Sequence, residues 1–191
     1  MRKYRYPAAA ACAVLLVALA SWLQPRIPVD DSEWHRDHDV QIRKHAKHYF
    51  GVYTDWRWFR AQGIVESGLR PRARSGRGAR GIMQIIPSTF EEVWNTHRET
   101  PDIYEPRWNV AAGVAYNRYL YERWASQVDR TERLAFTLAS YNAGYTRVMK
   151  AVERARGAGI AGDVWDKVSP YAPRETRNYV VRIRELMGQA G

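Results

Sequence analysis

From about residue 37 onward, apolar residues recur three and four places apart, and no stretch sustains an alternation in twos. That rhythm leaves one face of a helix apolar, so the chain must fold by packing helices on helices. The punctuation supports the same reading. A helix beginning at 34 or 37 ends at 50, where Gly51 can close it. Thr54 or Asp55 can cap a second over 55–67. A short piece covers 82–86, Pro87 interrupts it, and Ser88 caps a turn reaching Trp94. Asn109 caps a longer helix over 109–124, striped by Val110, Val114, Asn117, Leu120, Tyr121 and Trp124. Thr131 opens an apolar helix to 142 with Gly144 behind it, another spans 146–156, and Pro173 starts the last, over 173–187. The expected fold class is all-α, in a single domain over 37–191.

Ahead of that domain stands a segment of another kind. Met1 to Pro7 carries Arg2, Lys3 and Arg5, and Ala8 to Leu23 holds no charge. A basic start followed by a short apolar run is the pattern of a secretory signal, and Ala18-Leu19-Ala20 offers small residues for cleavage after Ala20. The rival is an uncleaved anchor, although the run is shorter than the roughly 20 residues a spanning helix needs. Residues 1–23 are therefore signal peptide or membrane anchor. Residues 24–36, with Pro25 and Pro28, read as a linker. Either way the domain is expected in the periplasm, free or held to the inner membrane.

Composition removes whole classes of chemistry. The one cysteine, Cys12, lies in the apolar run, so the folded part has no disulfide framework, cysteine–zinc site or thiol nucleophile. The five histidines do not form a zinc-protease motif. An Asp-rich calcium loop is absent as well, and no metal or cofactor is expected. The net charge of +10 suits an anionic partner, and 12 Tyr and 8 Trp offer flat faces for sugars or bases. A secretory signal argues against nucleic acid.

Glu66 is the residue with chemical promise. The helix over 55–67 is apolar round most of its circumference, with Trp56, Trp58, Phe59, Ala61, Ile64 and Val65, and such a helix is buried. Glu66 sits in its last turn. Burial and the negative helix end both disfavour a carboxylate, so its pKa is expected to rise. A glutamate protonated near neutral pH is a general acid. Periodicity alone also allows a surface glutamate at a frayed end.

The residues after Glu66 favour the first reading. Glu66-Ser67-Gly68-Leu69-Arg70-Pro71-Arg72-Ala73-Arg74-Ser75 leads into Gly78-Ala79-Arg80-Gly81-Ile82-Met83-Gln84, then Pro87-Ser88-Thr89. Ala139-Ser140-Tyr141-Asn142-Ala143-Gly144 and Pro173-Arg174-Glu175-Thr176-Arg177-Asn178-Tyr179-Val180 come later, with Asn109 to Tyr116 between. In this order the motifs resemble the lytic murein transglycosylases, in particular the catalytic domain of the soluble ones with a goose-type lysozyme-like fold. The resemblance covers about Val40 to Met187.

That resemblance implies a lysozyme-like helical domain with a substrate cleft, acting on peptidoglycan glycan strands. It implies Glu66 as catalytic acid/base, Ser75 and Gln84 as polar cleft residues, and Met83 as the apolar residue beside the bound sugar. Tyr141 and Asn142 would face the scissile bond, and the Tyr179 hydroxyl would approach Glu66. No acidic residue lies between Glu66 and Glu91, whereas two-carboxylate glycosidases need a second one ~5–10 Å away. Asp55, Glu91 and Glu92 read as cap and solvated-face residues. The reaction implied is cleavage between N-acetylmuramic acid and N-acetylglucosamine by a single glutamate, closing a 1,6-anhydro ring. Alternatives are a goose-type lysozyme-like hydrolase and a non-catalytic peptidoglycan-binding module. The same chemistry also serves a wall-opening subunit of an envelope machine. Arg70, Arg72, Arg74, Arg77 and Arg80 crowd the loop after Glu66. An arginine aimed at Glu66 would lower its pKa, so they are expected to face solvent or the cleft rim.

Overall fold

A computed structural model describes residues 36–94 and 101–188. The signal or anchor segment 1–23 and nearly all of the expected linker lie outside the described residues. Among the described residues, the regular structure is helical, with isolated bridges at Arg74–Arg80 and Arg80–Ile85. No described helix is long and apolar enough to cross a membrane.

The first helix, α1 (Asp39–Phe50), ends at Gly51 with φ 89°. Next, α2 (Arg57–Ser67) begins after Asp55, whose Oδ1 accepts the Arg57 backbone N–H at 3.0 Å. Its far end closes in a left-handed turn. Gly68 at φ 63° donates to Ile64, and Leu69 at φ 57° donates its N–H back to Gly63 at 3.2 Å. A six-residue return of this kind ends a helix firmly. It also lays Leu69 on Gly63, where a Cβ would stand 2.9 Å from the leucine methyl.

Three sequence expectations are corrected here. Residues 82–86 form no helix; they are a turn joined to Arg80 by the bridge at Ile85. Pro87 does not interrupt a helix but opens one, α3 (Pro87–Trp94), because its missing N–H costs nothing in a first turn. Likewise α4 (Pro106–Arg123) starts at Pro106, and Asn109 lies inside it, fully buried, rather than capping it.

The remaining elements are α5 (Arg133–Ala143), α6 (Tyr145–Gly157), the short α7 (Trp165–Val168) with a 3-10 turn at Ser169–Tyr171, and α8 (Arg174–Leu186). The α7 turn carries too few residues for a periodic signal. Three apolar clusters hold these together. One surrounds α5, with Trp124, Phe136, Trp165, Val180 and Ile183. A second gathers Ile42, Phe59, Ile64, Ile82, Met83, Val110 and Val114. The third lies under α3 with Phe90, Trp94 and Ile103. Helix α2 spans the first two clusters, Ala61 in one and Phe59 and Ile64 in the other, so its last turn is presented from within the core.

Candidate active site

Glu66 lies in that last turn, half-buried. Of the α2 residues, Phe59, Arg60, Ala61, Gln62, Gly63, Ile64 and Ser67 are buried. The end of the helix is pinned from outside by Ser67, whose hydroxyl donates to the Ile82 carbonyl at 2.8 Å and accepts the Arg70 N–H at 3.2 Å. The backbone that carries Glu66 is thereby tied to the loop opposite.

Tyr179, on α8, donates its hydroxyl proton to Glu66 Oε1 at 2.6 Å. The Glu66 carboxyl is nevertheless pushed up to about 8. Burial is the main cause, since it penalises the charged form; the Tyr179 bond works against it, and the charge of Glu175 adds to it. Tyr141 and Tyr179 are both held well above the ordinary phenol range, first by burial and then by the charge of Glu66. Both tyrosines are therefore neutral donors beside a carboxyl that keeps its proton at neutral pH.

Tyr141 reaches across to the loop and donates to the Met83 carbonyl at 2.8 Å. Its ring meets Tyr116 edge-on at 5.4 Å. Asn142 accepts the Thr176 hydroxyl proton at 2.9 Å through Oδ1, which binds the end of α5 to the first turn of α8. Gln84 stands at φ 44° and turns its Nε2 back onto the Gly81 carbonyl at 2.9 Å. A positive φ at a non-glycine residue is strained backbone of the kind found at binding loops.

Two expected site residues sit differently. The Met83 side chain is fully buried and packs on Gly113 of α4. Its backbone carbonyl is the group that accepts the Tyr141 hydroxyl proton. Ser75 closes its own loop, its hydroxyl accepting the N–H groups of Arg77 and Ala79 at 3.3 and 3.1 Å. The arginines after Glu66 stay off it. Arg70, Arg72, Arg74 and Arg77 are exposed, Arg70 donates to the Ser67 carbonyl, and Arg80 lies over the Tyr104 ring at 5.7 Å.

Several residues at the site carry roles that the sequence did not reveal. Asn109 holds the loop from inside α4: it accepts the Met83 N–H at 2.8 Å and donates to the carbonyls of Arg80 and Ile103 at 3.0 and 2.8 Å. Gly81 is the counterpart, since a Cβ there would stand 2.2 Å from the Asn109 amide nitrogen. Glu175 acts on Glu66 from α8, and Glu92 acts on Tyr116. Glu175 belongs to the Pro173–Val180 motif, yet its distance from Glu66 along the chain hid the pairing. Among the described residues, no cluster of three or more His, Cys, Asp or Glu could hold a metal ion.

The sequence profile of the transglycosylase SLT domain matches residues 52–163, more than half of the chain. The chain belongs to this family. The chain is 31% identical over 153 residues to membrane-bound lytic murein transglycosylase F of Vibrio cholerae, covering 71% of this chain and 28% of that protein. A transglycosylase F from Desulfosudis oleivorans is 35% identical over 119 residues, covering 62% and 25%. The chain thus spans about a quarter of the length of these curated relatives. Among solved structures, an inactive mutant of the lytic transglycosylase Slt from Pseudomonas aeruginosa superposes with a TM-score of 0.62 at 25% identity, covering 83% of this chain and 25% of that one. The 70 kDa soluble lytic transglycosylase of Escherichia coli shares the fold, with a TM-score of 0.60 at 23% identity and coverage of 82% and 25%. The lysozyme-like all-α fold read from the sequence is the fold of this SLT domain.

Proposed function

We propose that this SLT domain is a peptidoglycan lytic transglycosylase. It cleaves the β-1,4 bond between N-acetylmuramic acid and N-acetylglucosamine and leaves a 1,6-anhydromuramoyl end. The observation that carries the reading is Glu66, a carboxyl raised to about 8 with a tyrosine hydroxyl 2.6 Å away. Protonated Glu66 donates to the glycosidic oxygen as the bond to C1 breaks. The sugar's own acetamido group steadies the positive charge at C1. The Glu66 carboxylate then takes the proton of the C6 hydroxyl as that oxygen bonds to C1. One carboxyl serves as acid and base in turn, and no water is consumed. Tyr141 and Asn142 would orient the sugar, and Gln84 and Ser75 would face neighbouring hydroxyls and amides. The Vibrio and Desulfosudis relatives are lytic murein transglycosylases by name, which supports the same substrate. The N-terminal segment supports a periplasmic location, secreted or anchored, and an envelope machine is a fitting partner for a wall-opening enzyme.

The rival is hydrolysis, as in a goose-type lysozyme, in which water rather than the C6 hydroxyl attacks C1. Digestion of purified peptidoglycan followed by mass analysis of the muropeptides decides. Anhydro ends, lighter than reducing ends by the loss of one water, are expected. Reducing ends would establish the hydrolase, and no released muropeptides would leave only wall binding.

A further inference from the structure

The outer face of α4 carries a row of aromatic rings that begins at the site and ends on a cation. Ser67, next to Glu66, and Tyr141 both bind the loop opposite, at the Ile82 and Met83 carbonyls. The Tyr141 ring meets Tyr116 of α4 edge-on at 5.4 Å. Tyr116 is stacked with Tyr119, their centroids 6.0 Å apart and their planes 24° from parallel. The Tyr119 hydroxyl accepts an N–H of Arg123, from Nη1, at 3.1 Å. The Arg123 guanidinium lies 3.7 Å over the Tyr145 ring, whose hydroxyl accepts from Gln127 Nε2 at 2.9 Å. The four tyrosines are half-buried, whereas Arg123 is exposed. Positions 116, 119 and 123 fall on one helix face, three and four residues apart. Arg123 therefore stands about 10 Å along α4 from Tyr116.

Arg123 is held by two rings, yet among the described residues it pairs with no acid. The adjacent Glu122 is taken by Arg118 at 2.8 Å. A cation in the last turn of α4 is favoured by the negative helix end. That accounts for a charge there, but not for the ring beneath the guanidinium or the hydroxyl beside it. A guanidinium has several N–H donors in a fixed fork, and Tyr119 takes only one of them. Stacked on Tyr145 and bonded to Tyr119, the fork is set in place before any anion arrives, so less side-chain freedom is lost on binding. The ring faces beside it suit the apolar faces of sugars. Rings and fork together match one kind of ligand, a glycan strand that bears carboxylates.

We propose that the row of Tyr116, Tyr119 and Tyr145 carries the strand away from the scissile bond and that Arg123, at its end, grips a carboxylate of that strand. The proposal rests on the peptidoglycan reading given above and adds to it a specificity-determining residue. Two groups of the strand can supply the carboxylate. Where stem peptides are attached, they amidate the lactyl group, and the acid is the peptide's own. Where the peptides have been removed, the lactyl carboxylate itself is free. The rings serve any N-acetylated sugar, whereas the fork serves only an anion, so Arg123 separates wall glycan from a neutral chitin chain.

The test is a binding measurement in the Glu66→Gln protein, so that no reaction is needed to read it. Three ligands are compared by calorimetry: uncrosslinked peptidoglycan strands, the same strands stripped of stem peptides by an amidase, and an N-acetylglucosamine oligomer. Arg123→Gln is expected to raise Kd about fivefold or more for a carboxylate-bearing ligand and less than about twofold for the neutral oligomer. The source follows from which ligand responds. A loss with the peptide-bearing strands assigns the anchor to a stem-peptide carboxylate, and a loss confined to the stripped strands assigns it to the lactyl group. Equal loss for all three ligands would make Arg123 a mere support for the rings, and no loss for any would make it only a helix-end charge. Either result overturns the anchor. If Arg123 discriminates as expected but the unsubstituted protein releases no muropeptides, the anchor stands and the lytic reading falls.

Discussion

Glu66 governs both the expected rate and the expected stability, and the two respond oppositely to the same substitution. Glu66→Gln keeps the size of the side chain but removes the transferable proton. General acid–base catalysis is worth roughly 10²–10⁴-fold, and here one group serves both transfers. Muropeptide release should therefore fall at least about 10³-fold. The fold should not suffer. Folding lifts the Glu66 pKa from its ordinary 4.5 to about 8, so the folded protein holds this proton more tightly than the unfolded chain. That contribution is complete below about pH 4.5 and is lost as pH rises towards 8. The melting temperature of the unsubstituted protein should accordingly drop relative to Glu66→Gln across about pH 5–8, then run parallel above. Calorimetry of the two proteins in matched buffers measures this, and parallel curves throughout would mean an ordinary carboxyl. The same proton sets the rate. Activity should decline on an alkaline limb near pH 8, where Glu66 loses the proton it must donate.

At the scale of elements, the site depends on how α4 carries the Gly81–Gln84 loop. Asn109 makes three bonds to that loop and its neighbour at Ile103. Asn109→Ala would leave the buried Met83 N–H unpaired, at a cost on the order of 1–3 kcal/mol for that group alone. Urea denaturation should show a loss of roughly 3 kcal/mol once the two unpaired carbonyls are included. Activity should fall too, since the Met83 carbonyl is what Tyr141 grips. Gly113→Ala is a sharper test. Alanine is the better helix former by about 1 kcal/mol, so a free helix would gain. Here the new Cβ would meet Met83 Cβ at 2.6 Å, and overpacking of this kind costs about 1–3 kcal/mol. The net effect expected is destabilisation, and a gain in the urea midpoint would mean that the loop yields freely. The connection between α1 and α2 is of a different sort. Arg60 donates Nε to Asp39 at 3.0 Å, with both side chains largely buried. Removing one partner of such a pair costs roughly 3–5 kcal/mol, so Arg60→Ala should lower the urea midpoint more than Gly113→Ala does.

For the whole molecule, the dominant long-range property is positive charge. The chain carries +10, and four arginines of the Glu66 loop are exposed. Peptidoglycan bears stem-peptide and lactyl carboxylates, so encounter should be steered by this charge and weakened by salt. Between about 50 and 300 mM salt, KM for peptidoglycan is expected to rise several-fold at nearly constant kcat; a KM indifferent to salt would assign these arginines to solubility alone. The helical class was legible in the sequence because amphipathic periodicity is a local property, spelled out within a few turns. The burial of the helix that carries Glu66 was legible for the same reason, but periodicity also allowed a surface glutamate at its end, and only the motifs that follow singled Glu66 out. Loop ends were harder, since Pro87 and Pro106 open helices whose starts the chain marks only by a missing N–H. What the sequence could not fix was every relation across distance. Asn109 reads as a cap until the Met83 loop folds back onto it, and nothing local shows that Met83 packs against Gly113 of α4. Tyr179 and Glu175 gain their meaning only when α8 brings them to Glu66. Side chains far apart in sequence acquire mutual energies only through the tertiary packing that removes water between them.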